Sequence, residues 1–342
     1  MKAIQFKQPR EIIVIDLPEP PLPGPGEALV RTHRMGICGT DLGGFLGKMP
    51  FFSYPRIPGH ELGLEVLTVG PGVTHVKPGD KCSLEPYVND PTSLTSQKGS
   101  PNCCPGVQVL GVHIDGGLRE KWICPARKLH PGNALSYDQL ALVETLAIGY
   151  HAVQRGNPQP CETVLVIGAG PIGLACLEFL KLMDLNVIVM DTVMSRLEFC
   201  RDSLGISHLI EAKPDGSHLA DLEAITKGQL ANVIIDATGS VKSMSTCFEF
   251  AAFTGRVVYV GITTQELGFP HAPVFHRREL TLLASRNAMP ADFGKIIDLI
   301  ASGKINTDLW ITHRLPFDDV PTRFEEFTNP ALGAIKIIIE VS

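Results

Sequence analysis

The sequence has few aromatic residues, few charged residues and no long hydrophobic run. Aromatic residues make up 6% of the 342 residues and charged residues 19%. No uninterrupted apolar stretch is long enough to span a bilayer, which argues against a membrane protein. The first ten residues are polar and basic without an apolar core, so we expect no secretory signal.

The sequence also lacks a Lys/Arg run and a regular cysteine framework. Acidic residues outnumber basic ones, 36 to 30, for a net charge of −6. This balance argues against nucleic-acid and membrane-surface partners. The nine cysteines are odd in number and irregularly spaced. That usage is typical of reduced thiols in a cytoplasm, some of them on a metal, and we expect a cytoplasmic protein.

The chain length and a change in residue pattern along the sequence indicate two domains. Hydrophobic residues reach 44%, enough for two cores. Residues 1–150 contain short β-type runs between Gly/Pro clusters, which predicts a compact, mostly β domain. Strands and helices alternate over residues 151–285, with helices expected at 174–183, 195–204 and 241–252, which predicts a doubly wound parallel sheet. Residues 286–342 are expected to rejoin the first domain.

Two short motifs in the first domain contain metal-binding residue types. Cys38 lies in Gly36-Ile37-Cys38-Gly39-Thr40-Asp41, and His60 and Glu61 follow Gly59. Thiolate, imidazole and carboxylate together suit zinc, and three protein ligands leave one position open for substrate. Asp41 could orient the imidazole. Singly, a cysteine or a histidine is more often a core residue, so the motifs gain weight only together with a second site.

That second site is a glycine loop in the alternating region. A buried-strand run precedes Gly168, Gly170 and Gly173, and a helix, a strand and Asp191 follow. The glycines permit a tight turn, close approach of a pyrophosphate, and helix–strand packing. Asp191 would accept hydrogen bonds from ribose hydroxyls and repel a 2′-phosphate, which favours NAD. The further cofactor candidates are Pro171, Ile172, Arg196, Thr238 and Gly261.

With both sites in place, the chain resembles the medium-chain, zinc-dependent alcohol dehydrogenase family over nearly its whole length. The resemblance is carried by the Cys38 and His60 motifs, Lys77-Pro78-Gly79-Asp80 and the glycine loop. It implies a GroES-like catalytic domain, a Rossmann domain that binds NAD, and one catalytic zinc. It also implies a homo-oligomer, dimer or tetramer, formed by edge-strand pairing of Rossmann sheets.

One residue points to a branch of that family. Glu144 occupies the place of the third zinc-site residue, where alcohol dehydrogenases have Cys and polyol dehydrogenases such as sorbitol dehydrogenase have Glu. Several segments look closest to bacterial sugar-acid enzymes of the L-galactonate and L-gulonate 5-dehydrogenase type: residues 51–56, 85–87, 111–117 and 285–288.

Two departures from the family pattern affect metal and proton chemistry. The four cysteines of the family's structural zinc lobe correspond here to Asp90, Ser93, Ser96 and Cys104, a poor zinc set, so we predict no structural zinc. Cys103 and Cys104 are then small leftover residues, with a vicinal disulfide as the distant alternative. Gly43 stands where many members carry a relay histidine, which leaves the proton exit open.

The resemblance implies reversible oxidation of a secondary alcohol to a ketone. Zinc held by Cys38, His60 and Glu61, with Glu144 as ligand or through a water, would bind the substrate hydroxyl. Thr40 would pass the proton toward the cofactor ribose, and Glu144 is a candidate base. Arg286 could clamp a sugar-acid carboxylate or contact the cofactor pyrophosphate. His113, Tyr87 and Arg56 are pocket candidates or, equally, surface and packing residues.

Several other functions remain open on the sequence. A polyol (sorbitol-like) or alditol-phosphate dehydrogenase would use the same zinc and cofactor sites. Zinc-free quinone or enoyl reductases share the architecture but lack the Cys38 and His60 ligands. A structural protein on this fold would leave its metal ligands free to decay, whereas each ligand position here holds a competent residue.

Overall fold

The computed structural model describes all 342 residues and divides them into two compact units. The first unit comprises Met1–Glu144 with Met289–Ser342, and the second comprises Thr145–Ala288. The sequence pattern predicts these boundaries at 150 and 285. Residue 150 lies inside a long helix, Tyr137–Gly156, so no loop or linker marks the first boundary in the chain.

The amino-terminal part of the first unit consists mainly of short strands, because Gly/Pro clusters interrupt the chain at short intervals. Its elements, in chain order, are β1 (Lys2–Gln8), β2 (Glu11–Asp16), β3 (Glu27–Gly36), α1 (Gly39–Phe45), β4 (Glu61–Val69), β5 (Lys81–Leu84), β6 (Tyr87–Val88), α2 (Leu94–Gln97), β7 (Gln108–Val109), β8 (Lys121–Pro125), β9 (Leu129–Pro131) and α3 (Tyr137–Gly156).

The second unit alternates strand and helix, as the sequence pattern predicts. Its elements are β10 (Thr163–Ile167), α4 (Pro171–Leu180), β11 (Asn186–Asp191), α5 (Met194–Leu204), β12 (His208–Glu211), α6 (His218–Thr226), β13 (Ala231–Asp236), α7 (Val241–Thr246), β14 (Ala251–Tyr259) and β15 (Thr281–Ala284). All the pairs are parallel, in the order β12-β11-β10-β13-β14-β15. The predicted doubly wound sheet is confirmed.

One predicted helix in this unit is too long. The expected helix at 241–252 ends at Thr246, a 3₁₀ turn covers Cys247–Phe250, and β14 begins at Ala251. Ala251 pairs with Ala231 of β13. The apolar sequence there fits a helix as well as a strand, and pairing with β13 makes it a strand.

The carboxyl-terminal segment supplies α8 (Pro290–Ala301), β16 (Ile311–Pro316), α9 (Val320–Arg323) and β17 (Lys336–Glu340) to the first unit. Strand β17 pairs with β16 on one side and antiparallel with β3 on the other. The main sheet of this unit follows the order β16-β17-β3-β4-β5-β9, and β8 also pairs with β3. The tail therefore lies beside the strand that leads into the Cys38 motif.

Each unit has its own apolar core. Phe6 is fully buried in the first unit and packs against the rings of Phe45, Phe52 and Phe324 at centroid distances of 5.2–6.0 Å. The second core lies on the parallel sheet and includes Leu165, Ile188 and Phe248. Such burial is the main favourable contribution to folding and holds the loops that carry polar side chains.

The helices of the structure are amphipathic or mixed rather than uniformly apolar. The longest, α3, has 20 residues and carries the charged side chains of Asp138, Glu144 and Arg155. None of the helices combines the length and the apolar character that crossing a bilayer requires.

Two glycines in helices provide a matched test of the predicted packing role of Gly173. A Cβ on Gly173 would lie 1.7 Å from the carbonyl oxygen of Gly168, whereas a Cβ on Gly294 in α8 would meet nothing within 4 Å. We expect Gly173→Ala to destabilise the protein by about 1–3 kcal/mol or more through overpacking. Gly294→Ala should stabilise it by roughly 0.5–1 kcal/mol. Calorimetric unfolding measures both, and equal effects would contradict this packing account.

Candidate active site

Strand pairing in the first unit brings the two metal motifs together. Gly36, the last residue of β3, lies opposite Glu61, the first residue of β4. Cys38 follows two residues after Gly36 and caps the amino terminus of α1, while His60 directly precedes β4. Residues that are 22 positions apart in sequence thus meet at one end of an antiparallel pair.

The donor atoms of these motifs form one cluster. The Cys38 thiol sulfur, a ring nitrogen of His60 and a carboxylate oxygen of Glu61 all lie within 4.8 Å of one another. His60 and Glu61 are buried and Cys38 is half-buried. A thiolate, an imidazole and a carboxylate at this spacing can converge on one zinc ion.

Asp41 lies behind the imidazole. Its Oδ1 is 3.7 Å from His60 Nδ1, its Oδ2 accepts a hydrogen bond of 2.9 Å from the Cys38 backbone N–H, and its side chain is fully buried. With Nδ1 on the side of Asp41, Nε2 is left to face Cys38. Burial raises the pKa of Asp41, with His60 opposing the shift. Burial disfavours a charged His60, but the negative charges of Asp41 and Cys38 outweigh it and raise the pKa of the imidazole.

Lys336, which the sequence analysis missed, binds the third donor. Its Nζ lies 2.7 Å from both carboxylate oxygens of Glu61 and 3.4 Å from the carbonyl oxygen of Ile37. Burial opposes its charge, but the negative charges of Glu61, Cys38 and Glu144 together raise the pKa of Lys336. The available signal is in the sequence Ile335-Lys336-Ile337-Ile338-Ile339, where one charge stands alone in an apolar strand.

Glu144 faces the same region from α3. Its Oε1 accepts a hydrogen bond from the hydroxyl of Tyr87, and both side chains are buried. Burial raises the pKa of Glu144, with His60 opposing. Burial and the neighbouring Glu144 carboxylate raise the pKa of Tyr87 well above its usual range, so the phenol remains a donor. Glu144 lies outside the group of three donors that share the 4.8 Å spacing.

The charge balance of this region fits a divalent cation. Asp41, Glu61 and Glu144 are 0%, 1% and 5% exposed, and Lys336 is the one buried lysine among them. In addition, Asp41 Oδ1 and His60 Nδ1 are buried without a hydrogen-bond partner. Buried carboxylates in such excess are costly unless a cation compensates them. Zinc would supply that charge, and its imidazole ligand would turn Nδ1–H toward Asp41.

The glycine loop of the second unit makes a tight turn between β10 and α4. Gly168 has φ = +97°, which permits the tight turn after β10, and Gly170 precedes α4 with Pro171 in its first turn. Asp191 at the end of β11 accepts hydrogen bonds from the backbone N–H groups of Ala169 (2.6 Å) and Val193 (2.8 Å). A cavity of about 360 Å³ opens beside Gly168 and Asp191.

The other cofactor candidates lie around this loop. Thr238 lines the cavity, and its hydroxyl donates to Asp236 Oδ1 at 2.7 Å. A Cβ on Gly261 would meet the Gly239 backbone nitrogen at 2.2 Å, so these two loops are in close contact. Arg196 extends to within reach of Gly170. Asp236, which sequence reasoning missed, also accepts a hydrogen bond from Ser243 Oγ at 2.5 Å. Its carboxylate therefore links the loop at Thr238 to the helix that contains Ser243.

The substrate candidates of the first unit have local binding partners. Arg56 is 3.0 Å from Asp115 and 2.6 Å from Ser53 Oγ. His113 is exposed, and its Nδ1 accepts the Val109 backbone N–H at 3.1 Å. Arg286 is exposed and belongs to the second unit. Arg56 and His113 therefore have local binding partners that account for them, and Tyr87 binds Glu144.

Hydrogen bonds join the positions that correspond to the structural zinc lobe. Ser93 Oγ lies 2.9 Å from Ser96 Oγ, and it accepts the Ser96 backbone N–H at 3.3 Å. The Cys104 sulfur lies 4.0 Å from the carbonyl oxygen of Asp90. Cys103 and Cys104 are both free thiols, so the vicinal disulfide is absent. Thr40 and Gly43 lie in α1, Thr40 in its first turn.

Both parts of the chain match known protein families. Residues 24–134 match the alcohol dehydrogenase GroES-like domain, and residues 171–302 match the zinc-binding dehydrogenase model. The chain is 39% identical to the L-galactonate-5-dehydrogenase of Escherichia coli K12, over 95% of this chain and 94% of that protein. It is 29% identical to the D-altritol 5-dehydrogenase of Agrobacterium fabrum, over 99% and 100%.

A solved structure extends this similarity to three dimensions. An alcohol dehydrogenase from E. coli CFT073, crystallised with NADH, superposes with a TM-score of 0.91 at 29% sequence identity. The match covers 99% of each chain.

The donor geometry and the serine-containing lobe predict one zinc ion per chain. Cys38→Ala should lose most of the bound metal because it removes the thiolate ligand, whereas Cys104→Ala should retain it. Metal analysis of the purified proteins by mass spectrometry measures the content. Two zinc ions in the wild type, or loss of metal in Cys104→Ala, would contradict the single-site prediction.

Proposed function

Since the chain belongs to the zinc-type medium-chain alcohol dehydrogenase family, we propose that it oxidises a secondary hydroxyl of a sugar acid to a ketone, with NAD as acceptor. The family includes polyol and sugar-acid dehydrogenases, and it uses zinc and a nicotinamide cofactor. The observation that carries the proposal is the cluster of Cys38, His60 and Glu61 in a chain similar to an L-galactonate-5-dehydrogenase.

In this proposal, Cys38, His60 and Glu61 hold the zinc. When bound, the metal lowers the pKa of a coordinated hydroxyl and the nicotinamide accepts a hydride. Asp41 fixes the orientation and tautomer of His60. Lys336 fixes the Glu61 carboxylate through both of its oxygens. The remaining residues then bind the substrate and carry its proton away.

Proton transfer is assigned to Thr40 and Glu144. Thr40 lies in the first turn of α1, two residues from Cys38, and its hydroxyl can both accept and donate. Burial raises the pKa of Glu144 toward the range in which a carboxylate serves as a general base. Gly43 has no side chain to accept the proton, so Glu144 provides the alternative acceptor.

Substrate selection is assigned to Arg286. Its guanidinium is exposed and offers the planar donor pair that a carboxylate binds in bidentate fashion. The assignment follows the family resemblance, in which polyol dehydrogenases place an active-site arginine at the position of Arg286. Arg56 contacts Asp115 and His113 Nδ1 accepts a backbone N–H, so each also has a packing role. The competing role for Arg286 is contact with the cofactor pyrophosphate.

NAD is favoured over NADP by Asp191. Its carboxylate stands at the end of β11, where it would meet the adenosine ribose and repel a 2′-phosphate. Arg196 near Gly170, and Lys213 and Lys242 in the lining of the same cavity, could favour a phosphate instead. The cavity that contains Gly168, Asp191 and Thr238 is the proposed site of the adenosine part.

A polyol dehydrogenase is the second candidate function. The similarity to a D-altritol 5-dehydrogenase favours it. Because an alditol has no carboxylate, Arg286 would then contact the cofactor pyrophosphate instead. An alditol phosphate remains a further alternative, and its phosphate would likewise need a cationic partner such as Arg286. The zinc-free and structural alternatives would not require the buried excess of carboxylates around His60.

Cofactor reduction on a substrate panel distinguishes these functions. Aldonic acids, alditols and alditol phosphates are tested with NAD⁺ and NADP⁺, with and without a chelator, and absorbance of the reduced cofactor is followed. We expect chelator-sensitive, NAD-dependent turnover of an aldonic acid and little turnover of the matching alditol. Arg286→Ala should raise KM for the acid by about 10- to 100-fold by removing a charge-assisted bidentate contact. Turnover of alditols alone would exclude the sugar-acid assignment.

The second unit also has an edge through which we propose that copies of the chain associate. Strand β15 pairs only with β14, and Leu282 on it is 38% exposed. An unpaired edge strand presents free backbone donors and acceptors to a second copy.

Sedimentation of paired leucine variants tests this association. The wild type should sediment as a dimer or tetramer, and Leu282→Asp should shift toward the monomer because it adds a charge to the proposed interface. Leu22→Asp, at an 84% exposed residue of the first unit, is the matched control and should leave the mass unchanged. A monomeric wild type would contradict the proposal.

A further inference from the structure

The hydrogen bond between Tyr87 and Glu144 stands apart from the three metal donors. The Tyr87 hydroxyl donates to Oε1 of Glu144, and the two side chains are 2% and 5% exposed. A hydrogen bond to a buried carboxylate is among the stronger polar interactions in a protein. The Glu144 carboxylate is therefore held in position by Tyr87.

The backbone fixes Tyr87 without help from the metal donors. Tyr87 pairs with Val109 in the β6–β7 ladder, and the carbonyl oxygen of Pro86 accepts the Leu110 N–H at 3.0 Å. Two residues earlier, Glu85 is joined to Lys128 by a buried ion pair. The same Glu85 accepts a contact of 3.4 Å from His130 Nε2. The hydroxyl is therefore held in place by strand pairing and a buried charge cluster.

The Tyr87 hydroxyl restricts where Oε1 of the buried Glu144 carboxylate can lie, because Tyr87 is itself held by the β6–β7 ladder. Consistent with this, Glu144 lies outside the group in which Cys38, His60 and Glu61 approach within 4.8 Å of one another. Without the Tyr87 hydroxyl, a buried carboxylate would lack its donor, and a nearby cation would be its best remaining partner.

We propose that Tyr87 is a positioning residue that holds the Glu144 carboxylate away from the metal, so that the fourth coordination position stays open for the substrate hydroxyl. This role rests on the proposed function, since it presupposes a metal on Cys38, His60 and Glu61. It assigns Glu144 to proton transfer beside the open position rather than to permanent ligation. Closing that position would impede substrate binding and turnover.

Cobalt substitution provides a readout that does not depend on activity. The visible ligand-field bands of Co²⁺ respond to a change of ligand, and the metal can replace zinc in the same donor set. Tyr87→Phe, which removes one oxygen atom, should shift these bands as Glu144 enters the coordination sphere. Chelator competition should show metal binding tighter by on the order of tenfold, since the freed carboxylate adds a ligand. At the same time kcat should fall by about 10- to 100-fold.

Two further variants show whether the effect acts through Glu144. Glu144→Gln should leave the cobalt bands of the otherwise unchanged protein as they are, because Glu144 is not a ligand there. The double variant Tyr87→Phe/Glu144→Gln should lose the band shift. Tyr259→Phe is the matched control: its hydroxyl donates to the Met244 carbonyl oxygen in the second unit, and its removal should not alter the bands.

Three results would overturn the proposal. Unchanged bands and unchanged metal affinity in Tyr87→Phe would show that the hydroxyl does not control Glu144. A changed spectrum in Glu144→Gln alone would show that Glu144 is a ligand despite Tyr87. A wild-type chain that binds neither cobalt nor zinc would instead overturn the proposed function, and this role with it.

Discussion

The pairing of strands β3, β4 and β17 is the constraint on which the candidate active site depends. It sets Gly36 opposite Glu61 and Ile338 opposite Gly36, so three distant parts of the chain meet at one place. Hydrogen-bond register fixes such contacts to within one residue, since a slip by one would turn each side chain to the other face. Cys38, His60 and Lys336 reach the same cluster only in this register.

The same register brings several charged side chains together in the interior of the first unit. Lys336 and Glu61 are each 1% exposed, and removing one partner of a buried ion pair costs about 3–5 kcal/mol. Asp41 and Glu144 add two more buried carboxylates beside them. The fold accommodates this cost with specific partners: the Cys38 N–H for Asp41 and the Tyr87 hydroxyl for Glu144. A divalent metal would complete the compensation and supply the reactivity, so stability and function depend on the same charges.

Local patterns in the sequence predicted the elements whose signals are local. The glycine loop and its strand follow from residues 163–173 alone, and the Cys38 and His60 motifs name their own donors. The helix predicted at 174–183 exists but begins at Pro171 and ends at Leu180. The single charge in an apolar strand distinguishes Lys336, but its partner Glu61 lies 275 positions away, and no local pattern identifies that partner. Tyr87 was named for the pocket, but its bond to Glu144 depends on where α3 packs. The end of the helix at Thr246 was missed because sheet pairing overrode local propensity.

X-ray absorption at the zinc edge of the purified protein identifies the atoms that bind the metal. Cys38 is the single cysteine of the donor cluster, so we expect one sulfur ligand at about 2.3 Å and nitrogen or oxygen ligands at about 2.0 Å. Two or more sulfur ligands would place the metal elsewhere in the chain. A coordination shell without sulfur would remove Cys38 from the site and contradict the account.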